Sequence, residues 1–387
     1  MSYGPVNPSE ESLSSAGSDS SHAMLREIDE QPQALDRTLN LYLEGEGLKQ
    51  EMGGKLRSWT PAGRHVVIAA SGSSRHSGLA AEVWLEELSG LSADVEYASE
   101  YKFGRLSSPG NSACLVVSQS GETSDTLGAL RQAKEQGWKT LAITNAAGSS
   151  MAREADVFMP VAAGIERAIP ATKSFTGQLA ALYLLALYEG VSGGTIESRK
   201  LPALIAELRK QCGLIESQLP EWHRRMATLA GKYSGASNFL YLGGGIHYAI
   251  AREGALKLKE ASYVHAEGYP VGELRHGPNA LVSDTVPLVS IATFDPGVEA
   301  SVERREKTLR LLRDLKDQGA KVIAIANAGD TATAELATDC VGVEPTSEHL
   351  LPLSEVVPLQ LFAYFMALER GVNMDHPRHL SKAVVEK

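Results

Sequence analysis

The chain has 387 residues, 43% of them apolar and 22% charged, and a formal net charge of −10. That length suits two domains of ordinary size, and the composition is that of a globular protein. The acidic balance excludes a general nucleic-acid binder, which needs clustered Lys and Arg, but not a small anion held by backbone N–H groups at a helix N-terminus.

Residues 1–21, MSYGPVNPSEESLSSAGSDSS, are rich in Ser, Gly, Pro and acid. Such a stretch cannot bury enough apolar surface to offset its chain entropy, so disorder is expected there and ordered structure from about His22–Leu25. It contains no apolar h-region, so no secretion signal is expected. The longest apolar run, Leu179–Leu187, is too short to cross a bilayer and reads as a buried helix, so no membrane partner is expected. Cys114, Cys212 and Cys340 are far apart and show neither disulfide nor metal-ligand spacing. Reduced thiols in a cytoplasmic protein are the expectation, with no metal and no cofactor.

Two Gly/Ser turns follow apolar runs in the first half. Ser71-Gly72-Ser73-Ser74 comes after Val66–Ala70 and before a helix that includes Leu79–Leu88. Ser118-Gln119-Ser120-Gly121-Glu122-Thr123 comes after Cys114–Val117 and before a helix starting near Asp125. Strand, Gly/Ser turn and helix N-terminus together bind phosphate through free N–H groups and hydroxyls. Ser and Thr in such places are also ordinary N-caps, and either turn alone would read that way. Two of them at the carboxyl ends of strands in one sheet point to a ligand crevice. Neither GxxxxGKS/T nor GxGxxG stands in its proper context, which argues against a nucleotide.

An internal repeat follows. Leu130–Asn145 (LRQAKEQGWKTLAITN) matches Leu312–Asn327 (LRDLKDQGAKVIAIAN) in register, each reading as helix, Gly C-cap and short strand ending in Asn. Gln178–Gly190 and Gln360–Gly371 pair as long apolar helices, and VVIAASGSS at Val66 pairs loosely with FLYLGGG at Phe239. Two such copies are two homologous α/β domains with parallel sheets covered on both faces. Their boundary is expected near Ser192–Pro202, where Gly and Ser cluster.

In EGALKLKEASYVHAEGYPVGELRHGP, from Glu253 to Pro278, helical spacing puts Glu253, Lys257 and Glu260 on one face. The plain reading is a solvated ion pair. The density of ionisable groups that continues through His265, Glu267, Glu273, Arg275 and His276 into a Gly-Pro turn argues instead for the edge of an active site. No Gly or Pro interrupts Ala255–Glu267, so the helix is expected to run through it.

From His22 to the C-terminus these motifs closely resemble the sugar isomerase (SIS) superfamily. The likeness is to the isomerase half of glutamine–fructose-6-phosphate amidotransferases and to stand-alone glucosamine-6-phosphate deaminases. The resemblance implies an α/β fold of two homologous flavodoxin-like parallel-sheet SIS domains in three αβα layers, residues 22–195 and 203–372, with a tail, 373–387, as an active-site lid. It also implies that Ser74, Ser118, Gln119, Ser120 and Thr123 hold a substrate phosphate, and that Ala171 and Thr172 meet the sugar. Glu260 would shuttle the proton with Lys257 tuning its charge, His276 would open the ring, and Lys382 in DHPRHLSKAVVEK would form an imine with the ketose. In the relatives that histidine can come from a neighbouring subunit, and the resemblance implies a homodimer with shared sites.

Three departures matter. No N-terminal Cys nucleophile of a glutaminase stands in the chain, Ala171 replaces the usual Ser of synthases in AIPATKSFTGQ, and Arg75 replaces the usual Tyr. The first two favour a deaminase, converting glucosamine 6-phosphate and water into fructose 6-phosphate and ammonia. An ammonia-dependent synthase is the alternative, since the second half resembles synthases more. A non-catalytic sugar-phosphate sensor is disfavoured because Glu260, His276 and Lys382 are all present.

Overall fold

The computed structural model describes residues 22–61, 63–101 and 112–382, so the expected disorder of residues 1–21 and the last part of the tail lie outside the described residues. In the first half, β1 (His65–Ala70), β2 (Ser92–Tyr97), β3 (Ala113–Ser118), β4 (Lys139–Thr144) and β5 (Val157–Pro160) form a parallel sheet ordered β2-β1-β3-β4-β5. In the second, β6 (Asn238–Gly243), β7 (His265–Pro270), β8 (Leu288–Ile291), β9 (Val322–Asn327) and β10 (Asp339–Val343) repeat it as β7-β6-β8-β9-β10. Both are the flavodoxin-like order, which leaves a crevice where the winding reverses beside the first strand. The central strands are apolar along their length because helices cover both faces.

The principal helices are α1 (Ala23–Asp29), α2 (Gln31–Tyr42), α3 (Gly72–Trp84), α4 (Ser124–Glu135), α5 (Lys173–Gly193), α6 (Leu201–Tyr233), α7 (His247–Ser262), α8 (Glu299–Asp317) and α9 (Leu351–Glu369). α5 and α9 are apolar on every side and sit inside a core that draws on both sheets, from Ile68 and Val117 to Phe239 and Ile325. The segment Glu348–Glu369 is long and apolar enough to cross a membrane, but 94% of its 18-residue apolar window is buried within the protein, the place of a core helix. The 33-residue α6 follows the Gly-rich segment expected as the boundary and carries the chain from one sheet to the other.

The repeat survives in three dimensions. Gly137 and Gly319 end α4 and the turn after α8 in the left-handed region, at φ +77° and +76°, where glycine alone is unstrained. The paired asparagines are both latches. Asn145 bridges Ala163 N–H (2.9 Å) and the Gly164 carbonyl (2.7 Å), and Asn327 closes both polar atoms of Phe294 at 3.0 and 2.7 Å.

One expectation needs correction. The helix through Glu253–Glu260 stops at Ser262, capped by Tyr263 at φ +58°, and His265–Pro270 is a strand. Pairing with β6 from Asn238↔His265 onward outweighs the helical propensity of this stretch. The helix after the first Gly/Ser turn includes Leu79–Leu88 as expected, with α geometry to Trp84 and a π-turn over Leu85–Ser89.

At the carboxyl edge of the second sheet, wholly buried His247 lies between Glu355 (Nδ1 to Oε1, 2.7 Å) and Glu348 (Nε2 to Oε1, 3.1 Å). Burial pushes the imidazole down, but the Glu355 and Glu348 carboxylates outweigh it and hold its pKa above the ordinary value. Burial likewise raises Glu348, yet His247, Arg304 and Ser301 bring it down to about 2. The raised histidine contributes stability that is full below its unfolded pKa of about 6.5 and fades as pH rises through its folded value. The depressed Glu348 contributes stability lost as pH falls from about 4.5 towards about 2. His247→Gln should therefore lower the melting temperature more at pH 6 than at pH 9. Equal losses at both pH values would show that the imidazole is not charged in the fold.

Candidate functional site

The two Gly/Ser turns converge. Ser71 precedes α3 and Thr123 precedes α4, and neither side chain makes an N-capping bond, so the first-turn N–H groups of both helices are left for another acceptor. Within the second turn, Ser118 Oγ hydrogen-bonds Thr123 Oγ1 (3.0 Å) and accepts from Gly121 N–H (3.1 Å), which holds the turn closed. Gly121 sits at φ +65°, and a Cβ there would lie 2.1 Å from Ser149 Oγ, so the turn needs glycine twice over. Ser74 is braced from behind by Gln178 Nε2 at 3.0 Å. Ser73, Ser74, Ser118, Gln119, Ser120 and Thr123 line one pocket, whose far wall holds Ala171, Glu260 and Lys382.

Beneath this pocket lies a buried charge network joining the two halves. Lys257 and Glu253 are both 0% exposed. The Lys257 ammonium lies 2.5 Å from Glu260 Oε2 and 3.3 Å from Glu253 Oε1, and donates to Ser73 Oγ at 3.0 Å. His76 on α3 meets the other oxygen of Glu253 at 2.8 Å. Burial lowers Lys257, but its two carboxylates more than reverse this and hold it charged. Burial raises Glu253, and Lys257, His76 and Ser73 together bring it below the usual range. Burial keeps His76 below its ordinary value despite Glu253, which favours a neutral ring. Glu260 differs: burial raises it, and Lys257 only partly offsets this. It is the one carboxylate of the network at the pocket, its side chain 22% exposed. A carboxylate raised above its ordinary value and open to a pocket has the character of a proton acceptor.

The tail crosses from α9 to this pocket. Asp375 accepts from Ala23 N–H (3.0 Å), and Arg378 donates its N–H to the Tyr263 hydroxyl (2.7 Å) and stacks on that ring. Lys382 then reaches Glu166 Oε2 (2.8 Å) and the Ala168 carbonyl (2.6 Å). Glu166 is buried, and it also accepts from Thr172 N–H (2.9 Å), Ser174 N–H (3.1 Å) and the Ser174 hydroxyl (2.7 Å). Burial alone would raise it, but Lys382 and these donors hold it low and ionised.

Of the residues singled out in the sequence, Ser74, Ser118, Gln119, Ser120, Thr123, Ala171, Glu260 and Lys382 come together at one pocket, and Lys257 lies directly under Glu260. Thr172 is 0% exposed and turned onto Glu166. His276 stands on an exposed 3-10 turn, Val271–His276, and is not among the pocket's lining residues. The sequence did not single out Glu166 or His76, and it named Ser73 only as a member of the first Gly/Ser turn. Ser73 and His76 are one helical turn apart and share the α3 face that meets α7, a legible spacing. Glu166 lies in coil without any periodicity, and its only sign was an acid inside the apolar stretch VAAGIERAIPAT.

The family model for the SIS domain matches residues 61–188 and 232–370. The chain is a tandem α/β protein by fold, and it belongs to the SIS domain family. An isomerizing glutamine–fructose-6-phosphate aminotransferase of Thermus thermophilus is 40% identical over 363 residues, spanning 94% of this chain and 58% of the relative. That of Pseudomonas putida is 39% identical over 368 residues, with the same 94% and 58% coverage. The chain thus spans somewhat over half the length of the curated relatives it matches. Among solved structures, the C-terminal domain of the Francisella tularensis glucosamine-fructose-6-phosphate aminotransferase superposes with TM-score 0.84 at 32% identity, covering 92% of this chain and 99% of that one. A glucosamine-6-phosphate deaminase from Thermotoga maritima superposes at 0.70 with 22% identity, covering 94% and 100%, a likeness of fold alone.

Removing a partner from a buried pair leaves an uncompensated charge, at about 3–5 kcal/mol. Lys257→Met should destabilise the protein by that order in denaturant melts, and a loss below about 1 kcal/mol would show the network to be dispensable. Glu166→Ala should release the tail, seen as faster tryptic cleavage at Arg378 and Lys382 under native conditions. Unchanged cleavage would mean that other contacts hold the tail.

Proposed function

We propose that this chain is an amino-sugar phosphate isomerase acting as a deaminase, taking glucosamine 6-phosphate and water to fructose 6-phosphate and ammonia. The observation that carries the reading is that Glu260 and Lys382 line the same pocket as two uncapped helix N-termini and their hydroxyls. The phosphate would rest on Ser74, Ser118, Gln119, Ser120 and Thr123, which needs no cationic side chain. That anchorage sets the sugar's carbon chain against Glu260. Glu260 would take the proton from C2 of the open-chain amino aldose and return it to C1, giving the imine of the ketose. Lys382 would then attack C2 and displace ammonia, and water would hydrolyse the lysine imine to the ketone. Ring opening is assigned to His276 supplied by a second copy, so the working unit is a homodimer. The organisation taken for it is SIS domains at 22–195 and 203–372 with the tail 373–387 over the site, in the cytoplasm.

The hydrolytic direction is supported by chemistry: an imine in water hydrolyses unless ammonia is delivered to it. Ala171 lines the pocket with no hydroxyl, as in the stand-alone deaminases. The likeness to the aminotransferases at 40% identity favours a second reading, the same site run towards glucosamine 6-phosphate with ammonia as nitrogen donor.

The test is an end-point assay on the purified chain with glucosamine 6-phosphate, scoring ammonia and fructose 6-phosphate together. Stoichiometric release is expected, falling by about 10²–10⁴ in Glu260→Gln, the usual worth of a positioned base. Because the base must be ionised and burial raises its pKa, kcat/KM should fall with decreasing pH at a value above the ordinary carboxylate range of about 4.3. Glucosamine 6-phosphate formed from fructose 6-phosphate and ammonium, without release, would select the second reading. Inactivity both ways with intact sugar-phosphate binding would overturn both.

A further inference from the structure

A second concavity opens on the other flank of α3. Its cavity measures 320 Å³ and is lined by Arg75, His76 and Tyr97 from the first half and by Arg252, Lys259 and Glu267 from the second. That volume is within the range of small-molecule sites, about 300–1,000 Å³. Its positive charge is poorly compensated. Arg75 is only 9% exposed, and its guanidinium lies 3.8 Å from the Tyr97 ring centre. One nitrogen donates to the Val95 carbonyl at 3.3 Å, while Nε and Nη1 have no hydrogen-bond partner among the described residues. Arg252 donates to two phenols, Tyr248 (3.1 Å) and Tyr97 (2.9 Å), rather than to a carboxylate. Lys259 is exposed at the rim, and the carboxylate of Glu267 is taken up by the Tyr269 hydroxyl.

A buried guanidinium with unused donors is costly unless something completes it. Two planar guanidinium forks and an ammonium match the oxygens of a phosphate monoester better than any neutral ligand. Gly72, the first residue of the uncapped α3, also borders the cavity. The covering ring of Tyr97 is itself 44% exposed, a surface group rather than a core side chain.

We propose that this crevice is a second anion site, separate from the Ser118–Thr123 turn, for a small phosphate-bearing metabolite. Its phosphate rests on Arg75, Arg252 and Lys259, and its hydroxyl or amino groups meet Glu267 and Tyr269. The occupant neighbours the catalytic network without sharing it. His76 lines this crevice, and through Glu253 and Lys257 it connects to Glu260.

Equilibrium dialysis of the full chain against radiolabelled inorganic phosphate tests this independently of any turnover. Two phosphates per chain are expected. Ser118→Ala should abolish one, and Arg75→Ala and Lys259→Ala should each weaken the other about tenfold or more. Lys259 is exposed, so its variant decides the matter even if Arg75→Ala fails to fold. A single phosphate lost with Ser118→Ala, or a second one indifferent to both Arg75→Ala and Lys259→Ala, overturns the proposal.

Discussion

The ammonium of Lys257, held without solvent between Glu253 and Glu260, is the interaction on which the rest of the site depends. It sits on α7 of the second half, and its remaining donor contact is Ser73 on α3 of the first. His76 completes the crossing by meeting Glu253. Charges buried this deeply are tolerable only when each is paired, so the geometry of α3 against α7 has little freedom. That constraint sets where the α3 N-terminus points and where Glu260 stands relative to it. The uncapped α3 N-terminus and the Glu260 carboxylate are thereby placed in register by one network.

The two halves share a sheet order but not a chemistry. In the first, the strand ends open into serine-bearing turns with uncapped helices behind them. In the second, the corresponding turn is Gly243-Gly244-Gly245, with no hydroxyl, and a Cβ at Gly243 would lie 2.3 Å from the His247 carbonyl oxygen. The space is taken by His247, Glu348, Glu355 and Arg304, which neutralise one another. Gln178 and Gln360 make the same point. Gln178 braces Ser74, whereas the side chain of its repeat partner Gln360 has no hydrogen-bond partner among the described residues. A repeat that preserves the sheet can let one copy bind and leave the other to carry structure.

The Gly/Ser turn of the pocket was legible because it is local. Ser118 to Thr123 are contiguous, and strand, turn and helix follow one another in the chain. Glu253, Lys257 and Glu260 were legible as one face of a helix, but their environment was not: the spacing is equally that of a solvated ion pair, and only burial under α3 makes it a network. Glu166 was missed for a different reason. It has neither period nor motif, and its role appears only when a tail residue more than two hundred positions away arrives at it. The start of the strand, His265–Glu267, was misread as helix because its own residues tolerate both, and pairing with β6 decided between them.

By itself the sequence determined the tandem α/β organisation, the strand-turn-helix sites and the identity of the charged residues on α7. These rest on periodicity and turn chemistry, which act over a few neighbouring residues. The tertiary structure decided which of those charges lose their water, which carboxylate is raised and open to the pocket, and that Lys382 is delivered to Glu166 while His276 stays outside. Those outcomes depend on desolvation and on contacts between distant segments, and neither is encoded in local spacing.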